Sequence, residues 1–229
     1  MKKNTTQKTK QLCQNCGLPE IVCICDRINK ISLKTKVSVI IPYSERFKAS
    51  NTGGLVKATL TNSEIFIRGE KNKKFEASKV LKKDYQNLIL YTGGRKLTHE
   101  YIKSFEKPVN LIVPDGTWTS APRIIVREKE FHNIPKVTLF NPPFSQYKLR
   151  KHPNPEYIST FEAILYSLEI IENNSELKNQ LLNYFLMKID AMLWLRGKIP
   201  TDKVRGGIPQ KAIKWRIERS KINSTNKQN

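Results

Sequence analysis

The run Val109-Asn-Leu-Ile-Val-Pro-Asp-Gly-Thr-Trp118 decides how the rest of the chain is read. It is short, apolar and rich in β-branched residues, and Pro114 and Gly116 stop it. It therefore reads as a buried strand that delivers Asp115 to its C-terminal end. In open α/β sheets, ligands bind beyond that end of the strands. Gly116 permits a positive φ, and Thr117 is placed to cap a helix that opens at Thr119-Ser-Ala-Pro122. Taken alone, Asp115 is as well explained by a turn or a cap as by chemistry.

Working outward, the same pattern repeats. Upstream, an alternation from Ile28 leads into Val37-Ser-Val-Ile-Ile41, closed by Pro42, and Ser63-Glu-Ile-Phe-Ile-Arg68 reads as a second strand. A third, Asn87-Leu-Ile-Leu-Tyr91, is expected to be turned by Thr92-Gly93-Gly94, leaving free backbone amides at the sheet edge. Helical segments are predicted after Asn51 or Thr52, with Leu55, Val56, Ala58 and Leu60 on one face, around Ala77 to Lys83, and from Thr98 to Phe105. Downstream come a helix from Ala121 to Glu130, carrying Arg123 and Arg127, and a fifth strand, Lys136-Val-Thr-Leu-Phe140. Strands alternating with helices predict an α/β domain built on a mostly parallel sheet flanked by helices.

With 229 residues and 38% hydrophobic content, the chain can bury a core of ordinary size. Its formal charge of +21, from 41 Lys and Arg against 20 Asp and Glu, points to a polyanionic partner, nucleic acid first. A Lys-rich proteome, visible in the accompanying Asn and Ile, accounts for part of that charge. No apolar run reaches about 18 residues, and the N-terminus is polar, so neither a membrane span nor a secretory signal is read and a cytoplasmic location is expected.

All four cysteines fall in Cys13-x2-Cys16-x6-Cys23-x-Cys25. Without an export signal this spacing argues against disulfides and for four thiolates around a structural zinc ion, free or redox-active thiols being the competing reading. Gly17 directly after the first pair permits the chain reversal.

The densest stretch is Asn141-Pro-Pro-Phe-Ser-Gln-Tyr-Lys-Leu-Arg-Lys-His-Pro153. Tyr147, Lys148, Arg150, Lys151 and His152 mix stacking and cationic groups in a way that suits a phosphate backbone and a base. A lone His152 beside proline is also simply a solvent-facing residue. Ser159 or Thr160 with Glu162 starts a helix as a capping box, which by itself explains Glu162. A long amphipathic helix from Glu176 to Gly197 turns Leu181, Leu182, Phe185, Ile189, Met192 and Leu193 inward. From Lys198 the chain becomes basic, with Arg205-Gly-Gly207 as a flexible break and a cationic helix from Lys211 to Lys221 carrying Trp215, read as contacting RNA. The organisation expected is a basic tail and cysteine knuckle over 1–30, an α/β catalytic domain over 31–197 and a basic extension over 198–229.

Assembled, these segments resemble the DTW-domain family of tRNA-uridine aminocarboxypropyltransferases. The residues that carry the resemblance are the cysteine cluster with Gly17-Leu-Pro, Asn51-Thr-Gly, Asn62-Ser-Glu with Arg68-Gly69, Asp115-Gly-Thr-Trp118, Tyr147-x-Leu-Arg150 and Ser159-Thr-Phe-Glu-Ala163, in family order from Cys13 to Glu172. Pro122 and Thr92-Gly-Gly94, the latter in place of a proline-containing turn, depart from the family pattern. The resemblance implies a SPOUT-like α/β core with a C-terminal trefoil knot. It also implies transfer of the 3-amino-3-carboxypropyl group of S-adenosylmethionine to N3 of a uridine in tRNA, with methylthioadenosine released.

The uridine N3 proton is too weakly acidic to leave unaided at neutral pH, so a carboxylate in reach is a sensible general base, and Asp115 is the candidate. Thr92, Gly93, Gly94, Thr117, Trp118, Tyr147, Leu149, Arg150, Ser159 and Thr160 are then expected to hold the cosubstrate. Arg150 would meet its carboxylate or a tRNA phosphate, and Trp118 would pack on a base or anchor a helix. A monomer is expected. The competing functions are a SPOUT-type RNA methyltransferase, releasing S-adenosylhomocysteine, and a non-catalytic zinc-containing RNA-binding module.

Overall fold

The computed structural model describes residues 11–116, 120–150, 154 and 156–225, with side chains through 220. Five strands form one sheet: β1 (Lys36–Pro42), β2 (Ser63–Arg68), β3 (Gln86–Lys96), β4 (Val109–Pro114) and β5 (Lys136–Thr138). They are ordered β2-β1-β4-β3-β5, and each neighbouring pair runs parallel. Parallel strands need crossovers, which cover both faces and drive apolar residues onto both sides of each strand. Accordingly β1 and β4 are buried along nearly their whole length.

The polar exceptions on the central strands are paired. The Ser38 hydroxyl donates to Asn110 Oδ1 at 2.8 Å, and Asn110 Nδ2 donates to the Val80 carbonyl at 3.0 Å and to Asn87 Oδ1 at 2.8 Å. Fully paired in this way, they cost the core little.

The helices between the strands are short: α1 (Tyr43–Arg46), α2 (Val56–Thr59), α3 (His99–Lys103) and α4 (Ala121–Arg127). The expected helix after Asn51 is a 3-10 turn at Gly53–Leu55 running into the single turn of α2, and the helix expected from Ala77 to Lys83 is a 3-10 turn at Ala77–Lys79. The glycine pair explains the first, because glycine lowers helix propensity where the helix would have to start. The helix begun at Ala121 ends at Arg127 and not at Glu130, and a further 3-10 turn, Lys129–Phe131, follows.

The long helices α5 (Thr160–Glu172) and α6 (Ser175–Leu195) form a hairpin on one face of the sheet. Asn173 makes the join in the left-handed region with φ 49°, and the Asn174 side chain caps α6 by accepting from Leu177 N–H. Phe161 and Phe185 stack across the pair with ring centroids 6.0 Å apart. Val37, Val39, Leu111 and Val113 face these helices, whereas Ile40, Ile89 and Ile112 face Ile124, Ile125 and Phe131. Alternate residues therefore feed the two cores, as a strand dictates.

The helix-side core continues through Cys16, Leu18, Val22 and Ile24 of the N-terminal segment and through Ala212 and Trp215 of α7 (Gln210–Thr225), which packs against that segment. The expected flexible break at Arg205-Gly-Gly207 is instead a pinned turn. Gly206 and Gly207 have φ of 69° and 73°, and Arg27 Nη1 donates to both of their carbonyls.

The expected turn at Thr92-Gly93-Gly94 is also corrected. β3 does not end there. Its pairing with β5 skips from Leu90 to Arg95, both opposite Val137, so Tyr91 to Gly94 loop out and the strand resumes. A Cβ on Gly94 would lie 2.6 Å from the Lys136 carbonyl carbon, so this close approach to β5 requires glycine.

Strand order also locates the site. β1 connects to β2 on one side, while β4 connects past β3 to β5 on the other. Adjacent strands whose connections leave in opposite directions open a crevice beyond their C-terminal ends. Asp115 stands at that crevice, its N–H donating to the Ile40 carbonyl of β1 at 2.8 Å.

Candidate active site

A cavity of about 1140 Å³ opens at the crevice. Single-ligand pockets occupy roughly 300–1,000 Å³, so this one has room for more than one small molecule. Apolar side chains such as Leu90, Val113 and Ala163 supply its walls, and polar groups converge on Asp115.

Asp115 is 4% exposed. Its Oδ1 accepts from the Thr160 hydroxyl and its Oδ2 from Asn51 Nδ2, which fixes the plane of the carboxylate. Asn51 is held in turn, its Oδ1 accepting from Gly54 N–H at 3.0 Å. Thr160 opens α5 beside the N-cap Ser159, so the carboxylate also faces the positive end of a helix. A Cβ on Gly53 would lie 3.1 Å from Asp115 Cγ and 3.2 Å from Val39 Cγ1, so a side chain there would require one of them to give way by a few tenths of an ångström. Burial pushes the Asp115 carboxyl above the usual carboxylate range. The Thr160 and Asn51 hydrogen bonds counter part of that rise, and the negative charge of Glu45 adds to it. A carboxylate tuned upward but held by donors can take a proton from a weak acid.

The wall carrying Tyr147 and Arg150 is pinned by Glu162, which is fully buried. Its carboxylate accepts from the Ser145 hydroxyl at 2.7 Å, from Gln146 N–H at 2.6 Å and from Ser159 N–H at 2.8 Å. The capping box expected at Ser159 is therefore present, and the same glutamate anchors Gln146 and Ser145, 16 and 17 positions away in sequence. Tyr147 donates its hydroxyl to the Ser50 carbonyl at 2.8 Å, and burial pushes its pKa up, so it stays a phenol. Arg150 Nη2 donates to the Ser50 hydroxyl and lies 3.6 Å from Glu45, with its side chain 46% exposed at the mouth.

In the N-terminal segment the four cysteine sulfurs lie within 4.8 Å of one another, with Cys13–Cys25 at 3.6 Å and Cys16–Cys23 at 3.7 Å. A tetrahedral zinc with bonds of about 2.3 Å needs sulfurs about 3.8 Å apart, so the residues fit such an ion. The Cys25 thiol, by hydrogen bonding, pulls Cys16 down to about 5, while burial pushes Cys23 up to about 11 and the bond to Cys16 pushes Cys25 up. Thiolates this close repel one another, and a divalent cation among them would offset that repulsion. Lys188 of α6 is fully buried beside them and is pushed down to about 8 by that burial.

A model of the DTW domain matches residues 10–193. The chain belongs to the DTW domain family. Relatives named tRNA-uridine aminocarboxypropyltransferase 2 include those of Macaca fascicularis, 28% identical over 183 residues, and Mus musculus, 28% identical over 178 residues. The matches cover 76% and 74% of this chain but only 61% and 59% of those relatives, so the DTW chain spans about three fifths of their length. A relative of the same name from Drosophila melanogaster is 23% identical over 178 residues, covering 74% of this chain and 70% of its own.

In this DTW chain, Thr92, Tyr147, Arg150, Ser159 and Thr160 line the cavity with Asp115. Gly93, Gly94 and Leu149 are not among the lining residues. Gly94 packs against β5, and Leu149 is buried, with its carbonyl accepting from Arg196 Nη1 at 2.8 Å. Thr117, Trp118, Lys151 and His152 lie outside the described residues. Asn51 reads in the sequence as a cap or a short motif, and its bond to a carboxylate 64 positions away has no local signal. Glu45, Ser50 and the aromatic rim at Phe140 and Phe144 were likewise not singled out as site residues, although all four line the cavity.

Proposed function

We propose that this DTW chain transfers the 3-amino-3-carboxypropyl group of S-adenosylmethionine to N3 of a uridine in tRNA. The observation that carries the reading is Asp115. It is a buried carboxylate held on both oxygens by Thr160 and Asn51, at the base of a cavity large enough for a nucleotide and a second small molecule. The names of the relatives and the charge of +21 support a tRNA substrate. When bound, S-adenosylmethionine supplies an activated carbon and carries the departing electron pair away as methylthioadenosine.

Asp115 takes the N3 proton as N3 forms its bond to that carbon, and the carbon–sulfur bond breaks toward sulfur. Thr160 and Asn51 keep the carboxylate aimed at the N3 proton, while the carbon that reacts is the one held in line with N3, since all three carbons on the sulfur are activated. Arg150, with Ser50 beside it, is positioned to hold the cosubstrate carboxylate or a phosphate. The cysteine cluster is assigned a structural zinc ion. The fold is taken to be SPOUT-like with a C-terminal knot, a reading supported by the parallel sheet and by the insertion of β4 between β1 and β3.

The test is nucleoside mass spectrometry of tRNA incubated with the protein and S-adenosylmethionine labelled in its amino-acid carbons. Label recovered on uridine, lost with Asp115→Ala, is the expected result. A methyl group on the nucleoside with S-adenosylhomocysteine released would make the chain a methyltransferase. Undiminished tRNA affinity without any cosubstrate binding would make it a binding module.

A further inference from the structure

Two of the most exposed large apolar side chains among the described residues, Phe144 at 75% and Phe140 at 63%, both stand at the mouth of the cavity. Neither is needed to close the core, which is filled by residues of the sheet and of α5 and α6. Nor are they carried on a slack segment. Asn141 turns the chain between them with φ 46°, and Glu162 fixes the loop immediately after Phe144 through Ser145 and Gln146. Lys96 Nζ lies over the Phe140 ring, 4.6 Å from its centre, so one face of this exposed ring carries a cation and the rim has positive charge beside it.

Fixed aromatic faces held in water beside a cation call for a partner with flat apolar faces and negative charge, and an unpaired polynucleotide strand has both. The proposed reaction supplies the reason for unpairing. N3 is on the pairing edge of uridine, so the base must leave its stack to reach Asp115, and its neighbours then lose a stacking surface.

We propose that Phe140 and Phe144 form a stacking subsite for the nucleotides flanking the modified uridine, with Lys96 beside the adjoining phosphate. This rests on the assignment of tRNA as substrate. The adenine of the cosubstrate is a poorer occupant, because it belongs with the reacting sulfur inside the cavity and not on rings open to solvent.

The test compares the full chain with Phe144→Ala, Phe140→Ala and the aromatic-preserving Phe144→Trp. Affinity for unfractionated tRNA and for a short oligouridine is measured over a range of salt, alongside calorimetric binding of S-adenosylmethionine and thermal melting. Each alanine variant is expected to weaken RNA binding roughly 5- to 100-fold. The salt slope, cosubstrate affinity and melting temperature should stay as in the parent chain, and tryptophan should restore binding. Unchanged RNA affinity in both alanine variants overturns the proposal. So does a loss confined to S-adenosylmethionine, which would assign the rings to adenine, or a loss of self-association, which would assign them to a second copy. Because binding is read apart from turnover, an inactive parent chain whose RNA affinity still depends on Phe144 would sink the transfer reaction and leave this subsite standing.

Discussion

Lys188 Nζ donates to the backbone carbonyl of Cys16 at 2.7 Å from a fully buried position. The neighbouring negative charge for this ammonium comes first from the Cys16 sulfur, then from Asp115, and then from the sulfurs of Cys13 and Cys25. A buried cation is costly unless compensated, and four thiolates around a divalent ion carry a net negative charge that compensates it. Lys188→Met should therefore destabilise the zinc-loaded protein more than the stripped one. The lost hydrogen bond and counter-charge amount to about 1–3 kcal/mol. For a chain of this size that corresponds to a melting point lower by roughly 2–4 °C per kcal/mol. Calorimetric melts with and without chelator check it, and a loss of melting temperature relative to the parent that is no larger in the loaded form than in the stripped form would show that the ammonium and the cluster are not paired.

Metal removal should be felt across the molecule, because the knuckle is not an appendage. Cys16, Leu18, Val22 and Ile24 are buried in the same core as Val37 and Trp215. Elemental analysis is expected to find one zinc per chain, and Cys16→Ser to abolish it and to lower stability by several kcal/mol, because metal binding through a shared core would be coupled to folding. A metal-free protein that melts unchanged would return these residues to plain thiols.

Asp115→Asn separates chemistry from stability. The folded-state pKa of Asp115 is raised by burial, so the fold favours the protonated form. The corresponding stability is fully present below the unfolded-state pKa and is lost as pH rises through the folded value. Relative to the parent, Asp115→Asn should therefore gain stability as pH rises toward neutrality, and denaturant titrations at several pH values read the trend. Turnover should fall about 10²- to 10⁴-fold, and the rise of kcat/KM with pH that reports the base should disappear. A variant that stays active with the same pH profile would remove Asp115 from the reaction.

How much of this was legible depended on the range of the interactions. The strands ending at Pro42 and Pro114 and the Ser159 cap are written in a few consecutive residues, and each is found where the pattern puts it. The α/β alternation follows from them. The Thr92-Gly-Gly94 loop was misread as a strand end because two glycines signal a turn, yet a local pattern carries no information on whether the strand resumes against β5. Asn51 and Ser50 were not recognised as site residues for the same reason. Their partners, Asp115 and Arg150, come from strands and loops that only the crossover topology brings together. Phe140 reads as the end of the fifth strand, which in fact stops at Thr138, and Phe144 is passed over in the loop that follows, since exposure is a property of the fold and not of the sequence.

Gly53→Ala tests how closely the carboxylate is held. The new methyl would sit 3.1 Å from Asp115 Cγ and 3.2 Å from Val39 Cγ1, so something must shift. Val39 is fixed in the central strand, which leaves the carboxylate to move. Overpacking should cost about 1–3 kcal/mol of stability. Misplacing the base should lower kcat by up to about 10²-fold, with little effect on tRNA affinity. Loss of tRNA binding in step with kcat would mean instead that the whole site had collapsed.

Glu162→Gln should uncouple the aromatic wall from the carboxylate without touching either. The three groups that meet Glu162 all donate, namely the Ser145 hydroxyl and the N–H groups of Gln146 and Ser159. A carboxylate accepts all three, but the amide of glutamine turns one accepting oxygen into a donor, so at least one buried N–H or O–H loses its partner at about 1–3 kcal/mol. The Ser145–Gln146 segment then slackens, and with it the neighbouring Phe144 and Tyr147. RNA affinity should fall while Asp115, still held by Thr160 and Asn51, keeps its pH profile. Hydrogen exchange should show faster opening of the Gln146 amide together with the RNA defect. Faster exchange with undiminished affinity would mean that the wall contributes nothing to holding the substrate.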